Sequence, residues 1–348
     1  MKRILGIFRG FPGLGRVVAG VSLLETLRDN YDYDVRIISY LQGNKYLESR
    51  GFQNFTEASP MDLCSIGLLP TNKMGVYIHN TIKDFVPDAV LIDGEPLILQ
   101  SIKISYPSIK IITLLNPADV NNPNNDKEAM DFFNALYSLS DLAIVHGLRS
   151  VDKDHRYKKL ISINTIIRRE LITVKNIPMG NIYCVLGGGT VNVAQQFADS
   201  TLRIGELCQN VASLLPDYTI HIICSSENIS KTLKENNYPE NVLLYDGIIS
   251  AQKYYSDASL VITRSGRNTL SELAFMGIPA ITFVSGCSYR QVEQSNNIHD
   301  LNISTIVPAT LEITTEEFAE LCLKMIGKRA DCHFRCGNDE AIKYILQI

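Results

Sequence analysis

The sequence has few long hydrophobic runs and no excess of either charge. Nowhere do about 18 consecutive apolar residues occur, so no membrane-spanning helix is expected. Lys and Arg together number 33 against 37 Asp and Glu, for a net charge of -4, which argues against a protein that coats nucleic acid. The apolar run in MKRILGIF is about five residues, shorter than the roughly 7 to 15 of a signal peptide, so a first strand is expected there.

The cysteines also lack a metal-binding pattern. The chain has eight, at positions 64, 184, 208, 224, 287, 322, 332 and 336. Several lie in apolar segments, where thiols behave as small hydrophobic residues, so a reduced cytoplasmic protein is expected. The close group CHFRC, with Cys332, His333 and Cys336, has no partner pair at zinc-ribbon spacing, and the sequence predicts no metal site.

Short apolar runs recur through both halves of the chain and alternate with helix-like segments. In the first half they begin with RILGIF and VRIISY, and the pattern restarts at NIYCVLGGG, residues 181 to 189. Continuous runs of this kind indicate parallel strands covered by helices on both faces. The 348 residues therefore predict an α/β protein with two doubly wound parallel-sheet domains, 1–172 and 173–337, whose strand ends face a shared ligand cleft. The domain of the last helix, 338–348, stays open.

Three glycine-rich turns follow predicted strands. FRGFPGLGR contains Gly10, Gly13 and Gly15 before a helix, and LGGGTVN contains residues 187–190. Backbone amides at such helix starts can hold an anion, although an ordinary strand-to-helix turn remains an alternative. The first turn does not have dinucleotide-binding spacing, which argues against a nicotinamide or flavin cofactor.

The third turn lies in RSGRNTLSELAFMGIPAITF, residues 264–283. Thr269 and Glu272 have the spacing of a capping box, in which each side chain bonds the other residue's backbone amide. Arg264, Ser265 and Gly266 cluster just before this helix, whose dipole favours an anion. The sequence predicts a phosphate-binding turn here.

This stretch, followed by YRQVEQSNN, resembles the nucleotide-sugar signature of the MurG-like glycosyltransferases. The matching residues are Arg264, Ser265, Gly266, Thr269, Glu272, Gly277, Pro279, Gln291 and Gln294. The resemblance implies a GT-B fold that binds a UDP-sugar without a metal or other cofactor. It also implies that Glu272 holds the ribose, that Thr269 with Gly188, Gly189 and Thr190 holds the diphosphate, that Ile248 contacts the uracil, and that Gln291 contacts the sugar.

Two positions depart from the family pattern. Arg16 stands where the family has histidine, and an arginine cannot serve as a general base. Val292 replaces the second glutamine of a pair. The proton acceptor is therefore sought at Asp93 and Glu95, which end the strand AVLID or follow it, with His146 and Asp119 as weaker candidates. Capping of the next helix is the structural alternative for Asp93 and Glu95.

The resulting hypothesis is an inverting, metal-independent transfer of a sugar, for example an N-acetylhexosamine, from a UDP-sugar to a hydroxyl group. The acceptor is a small molecule, a glycan or a lipid-linked molecule, and no nucleic-acid partner is expected. A nucleotide-sugar hydrolase and a non-catalytic binding partner of another transferase remain alternatives. The apolar segment 60–78 and the basic run KDHRYKK, 153–159, leave peripheral contact with the inner membrane face open.

Overall fold

A computed structural model describes residues 1–10, 13–52, 72–186, 195–224, 226–247, 249–284, 288–329 and 334–348. The chain divides into two units: unit 1 comprises Met1–Arg169 and Cys336–Ile348, and unit 2 comprises Glu170–Arg335. The boundary lies three residues before the one expected from the sequence. None of the described helices is both long and apolar enough to cross a membrane.

Unit 1 contains a parallel sheet of six described strands in the order β2-β1-β3-β4-β5-β6. The strands are β1 (Lys2–Phe8), β2 (Tyr33–Ile38), β3 (Ala89–Asp93), β4 (Lys110–Leu115), β5 (Leu142–Gly147) and β6 (Leu160–Asn164). The sequence did not predict β6, because LISIN is an edge strand whose side chains are mostly half-buried and follow no continuous apolar run. Strands β3, β4 and β5 are almost wholly buried, as their apolar runs predict, whereas half of the residues of β2, at the other edge, are buried.

The helices of unit 1 follow its strands in the expected alternation. They are α1 (Gly15–Asn30), α2 (Gln42–Ser49), α3 (Asn72–Phe85), α4 (Pro96–Ser105), α5 (Pro117–Val120) and α6 (Lys127–Tyr137). Side chains of α3, α4 and α6 pack with one face of the sheet in a continuous apolar cluster, whereas α1 contacts β1, β2 and β3. The sheet is therefore covered by helices in the manner of a doubly wound fold.

Unit 2 repeats this architecture with a different strand order, β12-β11-β10-β7-β8-β9. Its strands are β7 (Asn181–Val185), β8 (Thr219–Cys224), β9 (Val242–Asp246), β10 (Ala258–Arg264), β11 (Ala280–Phe283) and β12 (Ile306–Ala309). Its helices are α7 (Gln195–Val211), α8 (Glu227–Glu235), α9 (Ala251–Tyr255), α10 (Arg267–Met276), α11 (Ser288–Leu301) and α12 (Thr315–Met325). Cysteines 184, 208, 224 and 322 are free thiols in its core.

The last helix, α13 (Asn338–Ile345), packs on α1 of unit 1. Asn338 Nδ2 donates to Ser22 Oγ and to the carbonyl oxygen of Ile167, both at 2.9 Å. Asn338 Oδ1 accepts the Ile167 amide at 3.0 Å. These hydrogen bonds satisfy the polar atoms of the buried Asn338 side chain. They also attach α13 to unit 1, an assignment that the sequence left open.

Each sheet has one point at which the strand order reverses. In unit 1 it lies between β1 and β3, and in unit 2 it lies between β7 and β10. The connections after two such strands leave in opposite directions, which opens a crevice at their carboxyl ends where doubly wound folds bind ligands. The strand pairing brings Phe8 level with Asp93, and this pair marks the start of the crevice in unit 1. Val185 lies level with Thr263, and this pair marks the start of the crevice in unit 2.

Candidate functional site

The crevice of unit 2 is bordered by the turn after β10. Arg264, the last residue of this strand, donates from Nη2 to the carbonyl oxygen of Leu186 at 2.6 Å. Thr263 Oγ1 donates to the carbonyl oxygen of Val185 at 3.0 Å. Both bonds tie the end of β10 to the end of β7, so Arg264 supports the crevice as well as contributing charge to it.

Ser265 is wholly buried and its hydroxyl is used inside the protein. Its Oγ lies 2.8 Å from Thr282 Oγ1 and donates to the carbonyl oxygen of Phe283 at 3.1 Å. Asn297 on α11 donates from Nδ2 to the carbonyl oxygen of Ser265 at 3.0 Å. The hydroxyl of Ser265, a residue of the predicted donor site, therefore fixes the turn. Asn297, which the sequence did not single out, holds the turn from the side of α11.

Helix α10 begins three residues earlier than the capping pattern indicates. Its N-cap is Gly266, in an extended conformation with φ -75° and ψ 131°, and no side chain caps the helix. Thr269 therefore lies inside the first turn, and the predicted Thr269–Glu272 capping box is wrong. Gly266 is exposed and a Cβ on it would meet open space, so the N-cap position of α10 is accessible.

The remaining predicted donor residues lie on α10 and α11, which pack together. Thr269 is half-buried, whereas Glu272 one turn later is 1% exposed. On α11, Gln294 is buried and Gln291 is exposed. The predicted contacts Gly188, Gly189, Thr190 and Ile248 lie outside the described residues.

The crevice of unit 1 contains an arginine between two aspartates. Arg16 Nη1 donates to Asp93 Oδ1 at 2.5 Å, and its two Nη atoms donate to the Asp119 carboxylate at 2.9 and 3.0 Å. Burial opposes the charge on Arg16, but Asp119 and Asp93 outweigh this effect and raise its pKa well above the usual value. Burial also acts against ionised Asp119, yet Arg16 holds the pKa of that carboxyl below its usual range. Arg16 and Asp119 therefore form a charged pair at neutral pH, and Asp93 shares the same guanidinium.

Glu95 has different neighbours. Its Oε1 accepts a hydrogen bond from the hydroxyl of Tyr40, and Arg9 Nε lies 3.9 Å from the same oxygen. Burial raises the pKa of Glu95 to about 7, while Arg9 and Tyr40 act in the opposite direction. Arg9 and Tyr40 were not predicted as site residues, although Arg9 follows β1, which borders this crevice, and Tyr40 follows the neighbouring strand β2.

The other residues predicted near this crevice have mixed surroundings. Gly13 is exposed, with open space around it, and Gly15 is the first residue of α1. His146 is wholly buried, and its Nδ1 accepts the amide of Ile166 at 3.3 Å, which indicates a structural role. Among the residues that the structure describes, no cluster of three or more His, Cys, Asp or Glu side chains could hold a metal ion.

A polar groove of about 720 Å³ lies in unit 1 between the segments 120–134 and 149–156. Arg149 Nη2 donates to the carbonyl oxygen of Asn121 at 2.6 Å, and Arg156 pairs with Asp131 at 3.2 Å, so both walls are joined by arginines. These walls follow β4 and β5 and include parts of NPADVNNPNNDKE and KDHRYKK. A polar segment and a basic segment of the sequence thus form one concave surface.

Comparison with known proteins connects these sites to carbohydrate enzymes. Residues 186–331 match the glycosyltransferase family 28 C-terminal domain. A curated relative from Thermosipho africanus, a UDP-N-acetylglucosamine--N-acetylmuramyl-(pentapeptide) pyrophosphoryl-undecaprenol N-acetylglucosamine transferase, is 28% identical over 127 residues. That alignment spans 36% of this chain and 36% of the relative.

Solved structures resemble the chain over nearly its full length. MurG from Acinetobacter baumannii gives a TM-score of 0.59 at 15% identity, with 100% of both chains covered. The UDP-GlcNAc 2-epimerase from Neisseria meningitidis gives 0.64 at 14% identity and covers 99% of this chain and 100% of its own. At these identities the likeness concerns the fold. Together with the domain match, it shows a GT-B fold whose unit 2 is similar to the glycosyltransferase family 28 C-terminal domain.

Proposed function

We propose that the protein transfers a sugar from a UDP-sugar to a hydroxyl acceptor. The observation that carries the proposal is the family 28 domain match, which includes the whole 264–294 signature. The turn and helix start built by Arg264, Gly266 and Thr269 suit a diphosphate, because backbone amides, a helix dipole and a guanidinium all favour negative charge. Glu272, one turn further along α10, is a carboxylate that can accept two ribose hydroxyls.

The transfer is proposed to invert the anomeric carbon and to need no metal. In this scheme, positive charge at the start of α10 stabilises the departing UDP. An N-acetylhexosamine is the first sugar to test, because the curated relative is named as an N-acetylglucosamine transferase. Turnover that persists in EDTA, with a product of opposite anomeric configuration by NMR, is the expected result. Loss of turnover in EDTA would exclude the metal-independent scheme.

The groove of unit 1 is proposed to bind the acceptor. Its volume of about 720 Å³ falls in the range typical of small-molecule sites, and its amide, carboxylate and guanidinium groups can bond to sugar hydroxyls. The acceptor classes that fit are therefore hydroxyl-rich molecules such as glycans, free or linked to a lipid.

Calorimetry with UDP tests the donor site directly. Binding of UDP to the wild-type protein is expected, with affinity lowered in Glu272→Ala by roughly 1.5 to 3 kcal/mol through loss of a charged hydrogen bond. Glu320→Ala, at an exposed position of α12 in the same unit, should leave the affinity unchanged. No response to UDP in the wild-type protein would refute the proposed donor.

Epimerisation and hydrolysis are two other reactions that a protein of this fold could carry out on a UDP-sugar. The 2-epimerases have the same fold, and the group Asp93, Glu95 and Asp119 contains carboxyls of the kind that proton transfer at a sugar carbon requires. A hydrolase would use water as the acceptor. Incubation of UDP-N-acetylglucosamine alone separates these activities: free sugar indicates a hydrolase, the C2 epimer indicates an epimerase, and unchanged donor is expected for a strict transferase. UDP binding with turnover only after a second protein is added would instead indicate a partner subunit.

A further inference from the structure

Glu95 combines deep burial with one unsatisfied oxygen. It is the N-cap residue of α4, two residues after the end of β3, and 1% of it is exposed. Oε1 accepts the hydrogen bond from Tyr40, whereas Oε2 is shielded from solvent and has no hydrogen-bond partner among the described residues. Because such an atom is costly in a folded protein, its presence at the crevice suggests that a ligand supplies the missing bond.

A rigid turn holds Tyr40 in contact with Glu95. Ser39 Oγ donates to the carbonyl oxygen of Phe8 at 2.9 Å, which ties the end of β2 to β1. Gly10 approaches so closely that a Cβ there would clash with the carbonyl oxygen of Tyr40. Leu41 has a φ of 50°, which residues other than glycine rarely adopt and which persists only where the surroundings enforce it.

The neighbouring aspartates accept hydrogen bonds from an arginine, whereas Glu95 accepts one from a tyrosine. Asp93 and Asp119 both accept hydrogen bonds from Arg16, whose charge is permanent at ordinary pH. Arg9 approaches Glu95 only at 3.9 Å and on the Oε1 side. Of these three carboxyls, Glu95 is the one without a guanidinium hydrogen bond among the described residues.

Burial and the groups around Glu95 together bring its pKa close to neutral pH. Burial raises its pKa to about 7, Arg9, Tyr40 and Arg16 act to lower it, and Asp93 acts in the same direction as burial. A general base is most effective when its pKa lies close to the working pH. The pKa of Tyr40 is raised by its burial, so its hydroxyl stays protonated and remains a donor.

We propose that Glu95 accepts the proton of the acceptor hydroxyl at Oε2, and that Tyr40 is the positioning residue that holds its carboxyl. This inference rests on the proposed glycosyl transfer. As the acceptor oxygen bonds to the anomeric carbon, the bond from that carbon to the diphosphate breaks and its electron pair leaves with UDP. The proton passes to Oε2 and is later released to solvent. Arg16, at the position of the family histidine, holds Asp93 and Asp119 instead.

Titration of the Glu95 carboxyl tests the positioning role without relying on turnover. Its signal is followed by NMR in protein with carbon-13-labelled glutamate, and Glu95→Gln identifies it. We expect a midpoint near 7 in the wild-type protein and one roughly one pH unit higher in Tyr40→Phe, because the ionised form loses a donated hydrogen bond. Tyr106→Phe, whose hydroxyl contacts His79, is the matched control and should leave the midpoint unchanged. An unchanged midpoint in Tyr40→Phe would overturn the positioning role.

Release of UDP from UDP-N-acetylglucosamine, with water or a panel of hydroxyl acceptors, tests the catalytic role. Glu95→Gln should lower the rate by at least about 100-fold while its affinity for UDP stays unchanged. In Tyr40→Phe the rate should rise with pH around a higher midpoint than in the wild-type protein, and in Tyr106→Phe it should not. A wild-type rate in Glu95→Gln would overturn the role of Glu95 alone. Absence of UDP release by the wild-type protein from any UDP-sugar would overturn the proposed function as well.

Discussion

The stability of the protein should depend on the ionisation of Glu95, and this dependence can be measured before any substrate is known. Burial raises the pKa of Glu95 from 4.5 to about 7, so ionisation is costlier in the folded than in the unfolded chain. At 1.36 kcal/mol per pH unit, the difference is about 3 kcal/mol. This stability is fully present below about pH 4.5, where Glu95 is protonated, and is lost as the pH rises through about 7.

Glu95→Gln removes the ionisation but retains an oxygen that can accept from Tyr40. The variant should match the wild-type protein near pH 4 and be more stable by about 3 kcal/mol near pH 8.5. For a unit of this size that corresponds to a rise in the unfolding temperature of roughly 6 to 12 °C. Thermal unfolding at a series of pH values measures the difference between the two proteins.

The control is Glu128→Gln, an exposed position on α6 in the same unit. It should show no comparable pH-dependent difference, because an exposed carboxylate pays no burial cost. If the Glu95→Gln difference were the same at pH 5 and pH 8.5, the carboxyl would not be buried as described. The reasoning about its proton affinity would then be refuted.

Three further predictions concern the crevice and the groove of unit 1. Arg16→Met should cost about 3 to 5 kcal/mol at pH 7, because the Asp93 and Asp119 carboxylates would lose the guanidinium that they share. Urea unfolding should show this cost shrinking towards pH 4 as the carboxylates protonate, and an equal cost at both pH values would contradict the ion network. Gly94→Ala should cost about 1 to 3 kcal/mol, since φ is +84° and its Cβ would lie 2.8 Å from side-chain carbons of Arg9 and Arg16, whereas Gly13→Ala, in open space, should leave the unfolding curve nearly unchanged. Arg149→Gln should raise the acceptor KM and leave UDP affinity unaltered; a changed UDP affinity with a normal acceptor KM would place the groove outside the acceptor site.

Much of the fold could be predicted because its signals are local. A continuous apolar run such as AVLID or LVIT is buried on both faces wherever it lies in a parallel sheet, so most strands were found close to their observed ends. β6 was missed because an edge strand needs no such run. The start of α10 was misplaced because a Thr-x-x-Glu pattern also fits inside a helix, and only the end of β10 at Arg264 shows where the helix can begin.

In the candidate sites, the sequence singled out residues that lie close together along the chain but missed partners that lie far apart. The signature around Arg264 and Glu272 is continuous in sequence, so its residues could be found together. Tyr40 and Glu95 are separated by 55 residues, and Asn297 lies 32 residues from Ser265. No local pattern links such pairs, because their contacts depend on strand order and on the packing of helices over the strand ends.

The sequence by itself determined two α/β halves, a stretch at one strand end that resembles a nucleotide-sugar signature, and an arginine at position 16, where the family that it resembles has histidine. These features depend on neighbouring residues and on side-chain chemistry that does not change with folding. Only the tertiary structure decided that Asp93 and Asp119 pair with Arg16 while Glu95 meets Tyr40 and Arg9. Burial and nearby charge set the proton affinity of a carboxyl, and both arise when β1 and β3 come to lie side by side.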